Sequence, residues 1–166
     1  MAKNHTVFNG THCAYWDVDS LNLVGSSSED IDNGTFLSLS LSGTSAPVNR
    51  PYEFNVSAGA NPDLIAGTPP QGYNVDAQVY DDPRYFTNEA GKPISVKRLL
   101  KGDCIELSVE GFTAEPSSNH SFAKVQDSGK LTTSAVKDGA HFELVGQRTM
   151  DIGGELIKTW VLMKLV

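Results

Sequence analysis

Apolar and polar residues alternate with a period of two along several stretches of this chain, and no stretch carries the spacing of an amphipathic helix. In Phe36-Leu37-Ser38-Leu39-Ser40-Leu41-Ser42 the leucines take one face and the serines the other. In Cys104-Ile105-Glu106-Leu107-Ser108-Val109-Glu110 the apolar set is Ile105, Leu107 and Val109. The opposite face, Glu106, Ser108 and Glu110, is expected to be wet. Further on, Ile157, Thr159, Val161, Met163 and Leu165 share one face, while Lys158, Trp160, Leu162 and Lys164 form an amphipathic one. Such alternation between turn signals marks half-buried antiparallel strands.

The turn residues fit that reading. Asp32-Asn33-Gly34 precedes the leucine-serine strand, and Lys101-Gly102-Asp103, Lys137-Asp138-Gly139 and Gly153-Gly154 are hairpin candidates. The segment from His141 onward reads as two long strands joined at Gly153-Gly154. Two regions are less regular. Residues 1–30 mix strand-like pieces with Gly25-Ser26-Ser27-Ser28 and are expected to form an extended arm. Residues 58–83 hold Pro62, Pro69, Pro70 and Pro83 among several glycines, which predicts a long ordered loop, because proline removes a ladder donor. The expected fold is all-β: an antiparallel β-barrel or two-sheet sandwich, with an N-terminal arm (1–30) and a single β domain (31–166) containing the 58–83 loop.

Composition narrows the function classes. At 166 residues, 39% hydrophobic and 20% charged, the chain suits one folded domain. No apolar run approaches the roughly 20 residues needed to cross a bilayer as a helix. The opening Met1-Ala2-Lys3-Asn4-His5 lacks a signal-peptide core, so synthesis and retention in a cytoplasm are expected until release. A net charge of −7 argues against nucleic acid and anionic lipid as partners and suits a crowded exterior surface. Five Asn-x-Ser/Thr triplets, at Asn4, Asn9, Asn33, Asn55 and Asn119, read as products of a composition rich in turn residues.

Candidate chemistry is sparse. His5, His12, His120 and His141 are joined by no cysteine or acidic pair in metal-site spacing, and Cys13 and Cys104 read as small packing residues with no disulfide required. We expect no metal and no cofactor. There is no Gly-x-Ser-x-Gly elbow or P-loop, and the prolines of Gly67-Thr68-Pro69-Pro70-Gln71-Gly72 remove the N–H groups a phosphate cradle needs. Asp30-Ile31-Asp32-Asn33-Gly34 lacks the ligand series of a calcium loop and reads as an Asx turn; Asp81-Asp82-Pro83-Arg84 reads as a turn as well. A hydrolase using Asp103, His141 or Glu143 would need a nucleophile, a base and an orienting group that nothing in the sequence assembles. The expectation is a protein that is not an enzyme. Tyr73, Tyr80, Tyr85 and Phe86 either pack the proline-rich segment onto the domain or, with Trp16, stack on a sugar or enter a partner's pocket.

The order of several short motifs resembles that of the auxiliary head proteins of tailed bacteriophages, the decoration or cement proteins encoded beside the major capsid protein. The matching pieces are a strand-like arm, Asp32-Asn33-Gly34-Thr35-Phe36-Leu37-Ser38-Leu39, Phe86-Thr87-Asn88-Glu89-Ala90-Gly91-Lys92, Ser95-Val96-Lys97-Arg98-Leu99, and Gly102-Asp103 opening Cys104-Ile105-Glu106-Leu107-Ser108 before a closing hairpin. The resemblance implies a structural virion protein, made in the bacterial host cytoplasm, that binds the major capsid protein lattice and carries no catalytic residue. A dimer or trimer is expected, because lattice axes favour closed oligomers. Arms and open strand edges would add to a neighbour's sheet. The expected partner-binding residues are Val7, Phe8, Tyr15, Trp16, Tyr73, Tyr80, Tyr85 and Phe86. The competing reading is a carbohydrate- or receptor-binding β module on a virion or cell surface.

Overall fold

The computed structural model describes residues 5–41, 52–55, 60–70 and 82–166, and these are all-β with short 3₁₀ turns. In chain order the strands are β1 (Phe8–His12), β2 (Asn22–Ser26), β3 (Ile31–Asp32), β4 (Phe36–Leu41), β5 (Tyr52–Asn55), β6 (Asn61–Ala66), β7 (Thr87–Asn88), β8 (Ile94–Arg98), β9 (Cys104–Ser108), β10 (Phe122–Val125), β11 (Leu131–Ser134), β12 (Phe142–Ile152) and β13 (Glu155–Lys164). Five of them close into a small barrel, ordered β2-β5-β4-β6-β8. Six form a sheet ordered β1-β9-β13-β12-β10-β11, and β3 pairs with β7 alone. The all-β class is as expected; a sheet is packed on a barrel, which is antiparallel except where β2 and β5 run parallel, and there is no two-sheet sandwich among the described residues.

Strands β4 and β6 are the wall shared by two cores. Consecutive strand residues point to opposite faces, so Phe36 and Leu37 enter different interiors, and both are fully buried; the β4–β6 register shifts between them. Phe36 joins Ile65 in the cluster built on Ile105, Leu107, Phe142 and Leu162 of the sheet. Leu37 joins Leu64 and Ala66 of β6, with Phe54, Ile94 and Val96, inside the barrel. A strand covered on both faces loses its alternation and becomes an apolar run, here Leu64-Ile65-Ala66.

That wall overturns part of the 58–83 loop. Residues 61–66 are a barrel strand. Pro62 is tolerated because the β4–β6 ladder is interrupted between Asn61 and Ile65, where no N–H is needed. Residues 1–30 are likewise no detached arm in their described part: β1 pairs with β9, β2 closes the barrel against β8, and Val7 and Tyr15 are buried. Two turns also differ from expectation. Lys101-Gly102-Asp103 joins a barrel strand to a sheet strand rather than closing a hairpin, and the Asp103 carboxylate fixes the crossing by accepting the N–H groups of Leu100 (2.7 Å) and Ala14 (2.9 Å). Lys137-Asp138-Gly139 leads from β11 past β10, which lies between β11 and β12. Gly153-Gly154 does close the long β12–β13 hairpin, and Asp32-Asn33-Gly34 does turn into β4. Gly34 must be glycine: its φ is +77°, and a Cβ there would lie 2.6 Å from Leu107 Cδ2.

The face of β9 expected to be wet is dry. Glu106 and Ser108 are 5% and 1% exposed, on a strand paired on both sides, by β1 and β13. Their polar atoms are paired inside: Thr159 Oγ1 donates to Glu106, and Ser108 Oγ accepts the Val7 N–H at 2.9 Å. Val109 has left the strand for a 3₁₀ turn and is exposed.

An ion pair, buried at Lys164 and half exposed at Asp63, spans sheet and barrel. Lys164, 2% exposed, places Nζ 2.6 Å from Asp63 Oδ1 beside the Phe142 ring. Close by, His141 Nδ1 accepts the Val125 N–H at 3.1 Å, which requires the neutral imidazole with its proton on Nε2. Burial first, then the ammonium groups of Lys164 and Lys124, push the His141 pKa below 6.5, with Asp63 opposing. Below that value the unfolded chain binds more protons than the folded one, so this group's contribution is intact above pH 6.5 and is lost as pH falls toward the folded pKa. Urea melts at pH about 7.5 and about 5.5 should show a lower midpoint in acid, and His141→Gln should remove part of that difference.

Candidate functional site

An open groove of about 590 Å³ lies where β1, β2, β8 and the segment Gly67–Pro70 meet. Its floor follows from strand register. Asn22 of β2 is opposite Lys97 of β8, so both side chains leave the barrel on its outer face, as does Ser95 two residues along. Lys97 Nζ donates to Asn22 Oδ1 (2.8 Å) and Ser95 Oγ (2.9 Å) and stands 5.5 Å from the centre of the Tyr15 ring. Both acceptors are neutral, and among the described residues no carboxylate pairs with this ammonium. Burial lowers its pKa.

The wall is aromatic. Tyr15 is 6% exposed and presses on Gly10, where an added Cβ would lie 1.8 Å from the phenol oxygen, so only glycine lets β1 pass. Burial, reinforced by Cys13 and Asp103, raises the Tyr15 pKa and keeps the phenol neutral. Trp16 stacks on Tyr15 with ring centres 5.6 Å apart and planes at 29°, and its indole N–H donates to the Gly10 carbonyl. Although fixed in this way, Trp16 is 68% exposed. Asp19 lines the same groove from the next 3₁₀ turn.

A second feature is the outer edge of β12. β10 pairs with β12 only at Phe142 and Glu143; beyond that point, among the described residues, β12 has β13 on one side and no strand on the other. The open stretch, Val145-Gly146-Gln147-Arg148-Thr149-Met150-Asp151-Ile152, contains neither proline nor lysine; its charges are Arg148 and Asp151, and its ladder to β13 is irregular only at its start, between Leu144 and Gly146. Val145 and Leu156 of this ribbon are 59% and 71% exposed. Its tip is tied down by Arg84, whose guanidinium bonds both Asp82 and Glu155. Hydrogen bonding from Arg84 holds the Asp82 carboxyl below its usual pKa.

The expected partner residues separate into three groups. Trp16 is open to solvent, with Phe8 and Tyr15 behind it as groove lining. Val7, 3% exposed, is core: Ser108 and the β9 backbone hold its segment down, so it is not available to a partner. Tyr85 and Phe86 are half-buried, with Arg84 over the Tyr85 ring, while Tyr73 and Tyr80 lie outside the described residues. Sequence reading missed Lys97, Asn22 and Asp19; the shared face of Ser95 and Lys97 in a period-two strand was the available signal.

The groups expected to matter least are engaged structurally. Cys13 lies in the core and donates to the Cys104 carbonyl at 3.2 Å; burial pushes its thiol up to about 12, which makes it a poor nucleophile. Asp103 and His141 serve backbone N–H groups. Among the described residues no three His, Cys, Asp or Glu side chains gather in a way that would hold a metal ion. In comparisons with known proteins, no family model matches the chain and no curated protein is similar to it in sequence.

Proposed function

We propose that this protein is a non-catalytic accessory protein of a tailed-phage head, binding the lattice of major capsid protein to decorate or stabilise the shell. The observation that carries this reading is the open β12 edge. Monomeric β proteins block such edges with charges, lysine above all, with proline, bulges or short strands; β12 has Arg148, Asp151 and one irregularity at its start, and is long and free of proline and lysine beyond it. Here an eight-residue stretch of edge is open among the described residues, alternate residues turning their N–H and C=O groups outward, on a ribbon that also exposes Val145 and Leu156. An edge of this kind suits a partner strand, and one weak contact becomes secure when repeated over a symmetric lattice. The acidic surface keeps the free protein soluble before assembly. The order of motifs shared with head accessory proteins points the same way.

The test is co-sedimentation with phage shells that lack the protein, counting bound copies and recording resistance of the shells to heat. Saturable binding in a lattice ratio supports the proposal; wild type left in the supernatant overturns it. Val145→Lys combined with Gln147→Lys places two blocking charges on the edge. Occupancy should drop about tenfold or more, with stability within about 0.5 kcal/mol of wild type. Unchanged occupancy would overturn the edge as the contact.

A further inference from the structure

We infer that the groove walled by Trp16 and floored by Lys97 binds a saccharide bearing a carboxylate, the sugar ring lying against the indole face and the carboxylate meeting the ammonium. Nothing in the lattice-binding reading requires such a site, and it rests on different residues.

The indole is the first argument. Single exposed apolar side chains are common, but a tryptophan lining a groove and rigidly presented is the residue type most enriched at binding hot spots. Trp16 is both exposed and locked, by its N–H bond to Gly10 and by the Tyr15 ring behind it. The outward face therefore costs little entropy to use, and a flat aromatic face suits the C–H face of a pyranose.

The second argument is Lys97. Two of its three N–H donors go to neutral acceptors, which aim the ammonium without neutralising it. A part-buried cation with no carboxylate partner among the described residues stands out in a chain with 20 acidic and 13 basic residues. A ligand carboxylate arriving there would form a charge-assisted hydrogen bond in a partly desolvated site. Asp19, also in the groove, accepts hydroxyl donors and opposes a bare polyanion. An aromatic platform, a cation and a carboxylate acceptor together select a sugar ring that carries both hydroxyls and a carboxylate. The volume, about 590 Å³, lies within the range of small-molecule sites.

The probe is trigalacturonate titrated into the full chain while tryptophan fluorescence is followed. Of the two tryptophans, Trp160 is 5% exposed and Trp16 is 68% exposed, so a ligand-dependent change reports Trp16. Saturable quenching that weakens with added salt is expected. Maltotriose, which lacks the carboxylate, and triglutamate, which lacks the ring, should each bind about tenfold more weakly or worse. Lys97→Met should weaken trigalacturonate binding by a similar factor, and Trp16→Ala should abolish the signal and, by calorimetry, the binding; melting curves establish that both variants fold. No saturable binding by either method overturns the inference. So does triglutamate binding as tightly as trigalacturonate, or Lys97→Met binding like wild type.

Discussion

Phe36→Ala is expected to cost about 3–5 kcal/mol, the largest effect of any single truncation considered for this fold. The side chain is fully buried, and its ring centre lies 5.3 Å from that of Phe142. It stands on the wall shared by barrel and sheet, so the void opens where two layers meet and neither can close over it alone. In a chain of this size the thermal midpoint should fall by on the order of 10 °C. Leu39→Ala, on the same strand at 38% exposed, is the control and should cost only about 1 kcal/mol. Equal losses from the two variants in urea melts would show that Phe36 does not join the layers.

The Lys164–Asp63 pair should respond asymmetrically. Asp63→Ala leaves a 2% exposed ammonium with only the Pro62 carbonyl, 3.4 Å away, as a hydrogen-bond acceptor among the described residues. Breaking a buried pair from one side costs about 3–5 kcal/mol; because Asp63 is half exposed and water can approach, about 2–3 kcal/mol is expected here. Lys164→Met removes the charge and keeps the apolar stem against Phe142, and should be near neutral. If Lys164→Met proved as damaging as Asp63→Ala in the same melts, the pair itself, rather than the stranded charge, would hold sheet to barrel.

Period-two patterning made the strand class readable, and glycine chemistry located the β12–β13 hairpin and the Gly34 turn. Patterning failed wherever both faces of a strand are covered. Glu106 and Ser108 looked solvent-facing because they are polar; buried, they are satisfied by Thr159 of β13 and by the Val7 N–H just before β1, partners distant in sequence. Leu64-Ile65-Ala66 followed a proline and carried no alternation, so a barrel strand resembled a loop. Exposure of Trp16 could be suspected from its setting among Asp17, Asp19 and Ser20, but its fixed orientation depends on Gly10 and Tyr15 folding back on it. Lys97 gains its meaning only from Asn22, a neighbour supplied by barrel closure and distant in sequence.

The placement of β9 also bears on how the chain is built during synthesis. Leu107 has Phe8 on one side and Trp160 on the other. Every barrel strand lies between Asn22 and Arg98, so all of them leave the ribosome before β9, and well before β13. The barrel can close while β1 waits with its inner edge unpaired, and the sheet can be completed only once β13 arrives. Translation slowed or halted after Arg98 should therefore leave an aggregation-prone nascent chain, with β1 and the outer side of the barrel wall as its sticky surfaces.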